Sequence, residues 1–222
     1  MTGALTMIST PGYAFTRTWF KKNEKIWINL FETTKPARVL EIGSFEGYSA
    51  CWMIAQSAVM GATHFEIHCV DTWEGGVEHQ PGASEEVRMA DVAKRFEHNI
   101  ATAKQRTPLR NLQVHPHKTL SHLALAKLIA EGRLGYFDVI YVDGSHQAPD
   151  VLTDAVMSFP LLKVDGIMVF DDYLWSVDGK GDQDILNMPK PAVDAFANLF
   201  MRKMTVMRGG TREQLFLRKY AD

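Results

Sequence analysis

Two cysteines, Cys51 and Cys69, are too few for a disulfide framework and read instead as small buried apolar side chains. An excess of charge of either sign is also missing. The 24 basic and 26 acidic side chains leave a net charge of −2, so neither a nucleic acid nor an anionic membrane is indicated as a partner. No window approaches the ~18 successive apolar residues of a membrane span. The start, MTGALTMISTPGY, lacks the basic and apolar runs of a secretion signal. A cytoplasmic protein is the resulting expectation. Internal repeats and low-complexity tracts are absent too, which excludes solenoids and linker-like chains.

What remains suits one α/β domain: 46% hydrophobic residues are enough for a core, and 23% charged residues are ordinary for its surface. In TRTWFKKNEKIWINLFE, residues Trp19, Phe20, Trp27, Leu30 and Phe31 recur at helical spacing, predicting an amphipathic helix within a cap over residues 1–35. From residue 36 to 222 strands and helices alternate. ARVLEIG is a buried strand, GYSACWMIAQSAVM a helix stopped by Gly61, and HFEIHCVD a strand ending in Asp71. Ser84 is expected to cap a helix whose apolar face is Met89, Val92, Phe96, Ile100 and Ala103. LQVHP is a weak third strand before a helix around LSHLALAKLIAEG. FDVIYVD and GIMVFDD are the fourth and fifth strands, flanking the helix VLTDAVMSFPLL. This alternation predicts a doubly wound, mostly parallel sheet with helices on both faces. In MTVMRGGTREQLFLRK two strand-like runs flank a short turn with Gly209 and Gly210, and a turn that short joins only antiparallel strands. The expected sheet therefore has seven strands and ends in an antiparallel hairpin, unlike an ordinary dinucleotide-binding domain.

The first strand-to-helix turn, LEIGSFEG, sits where doubly wound folds bind nucleotides. A pyrophosphate-binding G-x-G-x-x-G loop needs a middle glycine for close backbone approach, and here that position is Phe45. A nucleoside ligand without phosphate fits better, with Asp71 placed to accept from both ribose hydroxyls. Alone, G-x-x-x-G fits a mere tight turn equally well, with Asp71 capping a loop.

Together, E-x-G-x-x-x-G, the acid after the second strand and the closing hairpin resemble a class I S-adenosylmethionine-dependent methyltransferase over residues 36–220. VDGSH and VFDDYLW are similar to the small-molecule O-methyltransferases related to macrocin O-methyltransferase and, more distantly, catechol O-methyltransferase. The resemblance implies that Glu41, Gly43, Ser44 and Gly47 lie along the methionine half of the cofactor, with Asp71 at the ribose. It places HPHKTLSHL near the adenine, with Thr119 at the family's usual serine position; His115 and His117 depart from that pattern.

In that fold the fourth and fifth strands open on the same crevice, so Asp143, Asp171 and Asp172 converge near the cofactor's sulfonium. Crowded carboxylates either take up protons or gather round a cation, and an all-oxygen set suits Mg²⁺. Relatives often carry DGD where this chain has DGS. Ser145 is no base, so proton removal, beside Asp143, shifts to His146. Aspartate after a strand also caps turns, and His146 equally suits a substrate contact or a loop hydrogen bond. The stretch DGKGDQDILNMPKP lacks the glycine and closing glutamate of a calcium loop, having Gln183 at its sixth position, and reads as a lid over residues 176–190. Tyr173 and Trp175 are candidates to stack on a substrate ring, and Trp73 to pack near the adenosine or the sheet edge. The expected activity is methyl transfer from S-adenosylmethionine to a hydroxyl of a small molecule, assisted by Mg²⁺, with a homo-oligomer left open. The alternatives are an N-methyltransferase or hydroxylation partner, a non-catalytic cofactor-binding protein, and a NAD-linked dehydrogenase.

Overall fold

Strands buried on both faces must lie inside a sheet covered twice, and this chain has several. The computed structural model describes residues 11–76, 79, 82–83, 86–176, 178, 183–207 and 212–222. A 3₁₀ turn at Trp19–Asn23 leads into α1 (Glu24–Thr34), β1 (Arg38–Ile42), α2 (Tyr48–Val59) and β2 (His64–Asp71). There follow α3 (Met89–Arg106), β3 (Asn111–Lys118), α4 (Ser121–Ala130), β4 (Phe137–Val142) and α5 (Ala148–Ser158). The remainder is β5 (Leu162–Phe170), α6 (Lys190–Leu199), β6 (Met204–Val206) and β7 (Leu215–Lys219). The strands form one sheet in the order β3-β2-β1-β4-β5-β7-β6. The first five are parallel, and β7 runs antiparallel to both β5 and β6. This is the doubly wound, Rossmann-like sheet with an antiparallel end that the sequence predicts.

Alternate side chains of each central strand feed opposite cores. Val39, Ile67, Tyr141 and Val169 join α1, α2 and α3 on one side, with Trp27 and Phe31 fully buried among them. Leu40, Ile140, Met168 and Leu217 join α4, α5 and α6 on the other. The segment before β1 therefore packs into the same core as the sheet. Trp27 lies edge-on to Tyr141, with ring centroids 4.9 Å apart, and its Nε1 donates to Gln214 Oε1 at 3.0 Å.

Several boundaries differ from expectation. The first helix starts only at Glu24, and Trp19, on the preceding 3₁₀ turn, is 45% exposed and stands over Phe45. The tighter pitch turns Trp19 off the stripe that buries Phe20. α3 begins after Arg88, with no side-chain cap, so Ser84 is too far upstream to cap it; Ser84 lies outside the described residues. β3 runs eight residues rather than five and contains Pro116, tolerated because, among the described residues, β3 is an edge strand paired only with β2. The fourth crossover helix stops at Ser158, since Pro160 interrupts it with a 3₁₀ turn. Gly209 and Gly210, and part of the segment 176–190, also lie outside the described residues.

Candidate active site

The chain leaves β1 towards one side of the sheet and returns at β4 on the other, so a crevice opens at the carboxyl ends of these two strands. The Gly43 N–H donates to the Val70 carbonyl at 2.8 Å, and the Asp143 N–H donates to the Ile42 carbonyl at 2.8 Å. The first ties the turn after β1 to the end of β2, and the second holds the turn after β4 against β1. Gly43 has φ +88°, and a Cβ there would stand 1.9 Å from the Asp143 carbonyl oxygen. Only glycine permits that approach. At Gly47 (φ +78°) a side chain would meet the Phe96 ring at 3.0 Å.

Asp71 anchors the glycine loop. Its Oδ2 accepts from the Ser44 and Phe45 amides at 3.0 and 2.8 Å, and its Oδ1 from the Trp73 amide at 2.6 Å. Trp73 Nε1 donates to the Phe45 carbonyl at 2.8 Å, and its ring packs on Phe96. Trp73 therefore braces the loop from the core side. Phe45, at φ +47°, stacks on His79 beside Trp19. Glu41 lies fully buried beneath the loop, accepting from the Ser44 and Ser49 hydroxyls at 2.6 and 2.5 Å. Burial pushes its carboxyl up to about 7. Glu41 thus orients Ser44 from below.

The carboxylates after β4 and β5 do meet. One ligand-capable atom each of Asp143, His146 and Asp172 lie within 4.8 Å of one another. His146 Nε2 is 3.2 Å from Asp172 Oδ2, and its ring lies 4.2 Å from that of Trp175. Asp171 stands just behind. Its Oδ1 accepts from the Asp172 amide at 2.8 Å, and its Oδ2 from Gln214 Nε2 at 3.0 Å and from the Tyr141 hydroxyl. The expected triad of aspartates is therefore one crowded group, with His146 inserted beside Asp172 and Asp171 tied back into the sheet. Burial, then Asp171 and Asp172, push Asp143 well above the usual carboxylate range; burial, then Asp172, raise Asp171. Such a set is short of positive charge, and its oxygen-rich donors fit a hard divalent cation.

One cavity of about 720 Å³ joins these parts, within the ~300–1,000 Å³ typical of ligand pockets. Gly43, Ser44, Asp71, Thr119, Asp143 and His146 all line it. Of the segment HPHKTLSHL, Thr119 to His122 face the cavity, whereas His115 and His117 sit on β3 against His68. Trp175 lines the cavity; Tyr173 instead donates to Asp194 at 2.6 Å.

Three lining residues escape the sequence reading. Lys22 reaches in from the 3₁₀ turn. Burial opposes its charge, but Glu213, Asp172 and Asp171 outweigh this and hold its ammonium above the usual range. Trp19 roofs the glycine loop. Asp154, only 2% exposed on α5, keeps Oδ1 without a hydrogen-bond partner among the described residues, and burial pushes it up to about 7. A signal for Asp154 was present: with Val151, Ala155 and Ser158 it shares the buried stripe of α5, where a carboxylate is out of place.

A family model described as "Methyltransferase domain" matches residues 40–173. Among solved structures, an O-methyltransferase from Bacillus cereus in complex with SAH is 15% identical, with a TM-score of 0.61; the match covers 95% of this chain and 86% of that one. The O-methyltransferase TomG from Streptomyces achromogenes, involved in tomaymycin synthesis and in complex with SAM, is 18% identical over 90% and 80%, with a TM-score of 0.60. The SAH-bound methyltransferase PaMTH1 from Podospora anserina is 18% identical over 89% and 77%, with a TM-score of 0.59. No curated protein sequence matches the chain.

Proposed function

Since the chain belongs to the methyltransferase-domain family, we propose that it transfers a methyl group from S-adenosylmethionine to a hydroxyl of a small molecule, with Mg²⁺ at the acid cluster. The observation that carries this is the sharing of one cavity by a glycine loop unsuited to pyrophosphate and a carboxylate group short of positive charge. Bare binding of a nucleoside gains nothing from the second, which weighs against a non-catalytic role.

In this reading the Gly43–Gly47 backbone and Ser44 hold the methionine half, with Glu41 fixing Ser44. Asp71 accepts from the ribose hydroxyls through lone pairs its three amides leave over, and Thr119 borders the adenine. Asp143, Asp171 and Asp172 are the cation's carboxylates. When bound, the cofactor supplies an electrophilic methyl, and Mg²⁺ lowers the pKa of the attacking hydroxyl. His146 accepts the hydroxyl proton, and Asp172, 3.2 Å from its Nε2, stabilises the imidazolium so formed. Trp175 packs against the His146 ring and shields that face of it from water. In-line transfer demands little beyond such positioning. Residues 1–35 act as a cap and 36–222 as the transfer domain.

The test is transfer of labelled methyl from S-adenosylmethionine into a metabolite extract, with Mg²⁺ and with EDTA. A labelled, Mg²⁺-dependent small-molecule ether is expected. S-adenosylhomocysteine failing to bind, or label entering only amines, would overturn the reading.

A further inference from the structure

Away from the cavity, β2 and β3 carry a second group with metal-ligand chemistry. Glu66 and His68 on β2, and His115 and His117 on β3, project to the α4 side of the sheet, because residues two apart on a strand share a face. The parallel register sets His68 directly beside His115, with Glu66 one pleat before and His117 one after. Glu66 Oε1 lies 2.9 Å from His68 Nε2 and 3.5 Å from His115 Nε2, and one ligand-capable atom of each of the three residues falls within 4.8 Å of the others. A tetrahedral zinc ion with bonds of about 2.1 Å holds its ligand atoms about 3.4 Å apart, so the two edges to Glu66 Oε1 need shifts of about half an ångström or less.

Outer hydrogen bonds already aim the ligands. The Tyr136 hydroxyl donates to Glu66 Oε2 at 2.7 Å, on the oxygen that faces away from the histidines. His68 Nδ1 is 2.9 Å from His117 Nε2, so its far nitrogen has a partner when Nε2 turns to a metal. Such bonds to the non-ligating atoms are what hold metal-binding side chains in place. His115 Nε2 is enclosed, points at Glu66, and has no hydrogen-bond partner among the described residues. Opposing this is Arg133, whose Nη1 lies 3.5 Å from Glu66 Oε1 while its guanidinium stacks on Tyr136. Its side chain is 30% exposed and can turn to solvent when a divalent cation takes that oxygen.

We propose that Glu66, His68 and His115 form a transition-metal site of the zinc class, separate from the cavity, that clamps the β2–β3 edge of the sheet. Two imidazoles and one carboxylate are borderline donors that suit Zn²⁺ rather than Mg²⁺. Three protein ligands leave the fourth position to water. Because β2 ends in Asp71 and β3 runs into Thr119, the clamp would also steady one wall of the cavity.

The test titrates zinc chloride into chelator-stripped, full-length Asp172→Asn protein, in which the acid cluster of the cavity is weakened, and follows heat and melting temperature. One equivalent of zinc should bind and raise the melting temperature. His115→Ala in the same background should weaken that binding at least about tenfold. Glu66→Gln keeps an acceptor for Tyr136 but removes the anionic ligand, and should lose zinc likewise. Magnesium chloride should give no such shift. Absence of zinc binding, or zinc affinity unchanged in both His115→Ala and Glu66→Gln, would overturn the proposal.

Discussion

Replacing Gly43 with alanine puts a Cβ 1.9 Å from the Asp143 carbonyl oxygen, 2.4 Å from its carbonyl carbon and 2.6 Å from the Gly144 Cα. All three are backbone atoms, so no side-chain rotation relieves the clash. Ordinary contact begins near 3.4 Å, and the turns after β1 and β4 must part by about 1.5 Å. Three costs combine. The positive φ costs an L-residue about 1–2 kcal/mol. Overpacking costs about 1–3 kcal/mol. Stretching the Gly43–Val70 and Asp143–Ile42 hydrogen bonds costs about 1 kcal/mol for the pair. The total is about 3–6 kcal/mol, against the 5–15 kcal/mol of a typical domain. Gly61→Ala supplies the control. Gly61 has φ +77° and nothing within 4 Å of its absent Cβ, so only the backbone cost of about 1–2 kcal/mol applies. Urea denaturation of both variants should separate them by at least about 2 kcal/mol. S-adenosylhomocysteine binding, followed by calorimetry, should be lost in Gly43→Ala and kept in Gly61→Ala. Equal stabilities for the two would refute the close approach of the turns as the reason for glycine at 43.

Glu41 gives a pH dependence. Its folded pKa, about 7, lies above its ordinary 4.5, so the folded state holds the proton between these values. Stability is full below pH 4.5 and falls by about 3 kcal/mol as pH rises through 7, a slope that Glu41→Gln should flatten in urea midpoints at pH 5.5 and 8. Asp154, raised from 3.8 to about 7, adds a loss of the same sign, and Asp154→Asn should remove that part. Asp172→Asn should lower Mg²⁺-dependent turnover by about a hundredfold or more while leaving the melting temperature equal or higher, since it removes one crowded charge. Asp172 already sits at φ +50°, which asparagine tolerates well, so a large stability loss would contradict this account. Trp73→Phe keeps the ring on Phe96 but deletes the hydrogen bond to the Phe45 carbonyl; cofactor affinity should fall about fivefold, for a bond of about 1 kcal/mol, with the fold intact.

The sheet was legible because its signals are local: short apolar runs, a glycine turn after β1, and a turn too short for anything but antiparallel pairing. The carboxylates were legible as strand endings. Their division of labour was not. Whether Asp171 or His146 stands beside Asp172 depends on Tyr141 and Gln214, which arrive from distant parts of the chain. Trp19 was misplaced and Lys22 passed over because Trp19–Asn23 winds as a 3₁₀ turn, a choice set by Phe20 packing on Trp52 and Tyr141 rather than by propensity. The alternation in HFEIHCVD and LQVHPHK already put Glu66 with His68, and His115 with His117, on single faces. Only the register between the two strands, fixed by the whole sheet, brings the pairs together.

The position of β7 has a consequence for the order of assembly. β6 comes earlier in the chain yet, among the described residues, pairs only with β7, which lies between it and β5. The edge of the sheet is therefore completed from the far end of the sequence inward, through contacts between residues some fifty apart such as Phe170 and Leu215. Closing so long a loop is slow compared with forming the helices. Gln214, one residue before β7, carries the hydrogen bonds to Trp27 and Asp171. Asp171 gains that partner only once the strand has docked, so a partly folded chain without β7 carries an unfinished acid cluster. Refolding monitored by tryptophan fluorescence should accordingly lag behind the recovery of helical circular dichroism, and cofactor binding should return with the slower phase.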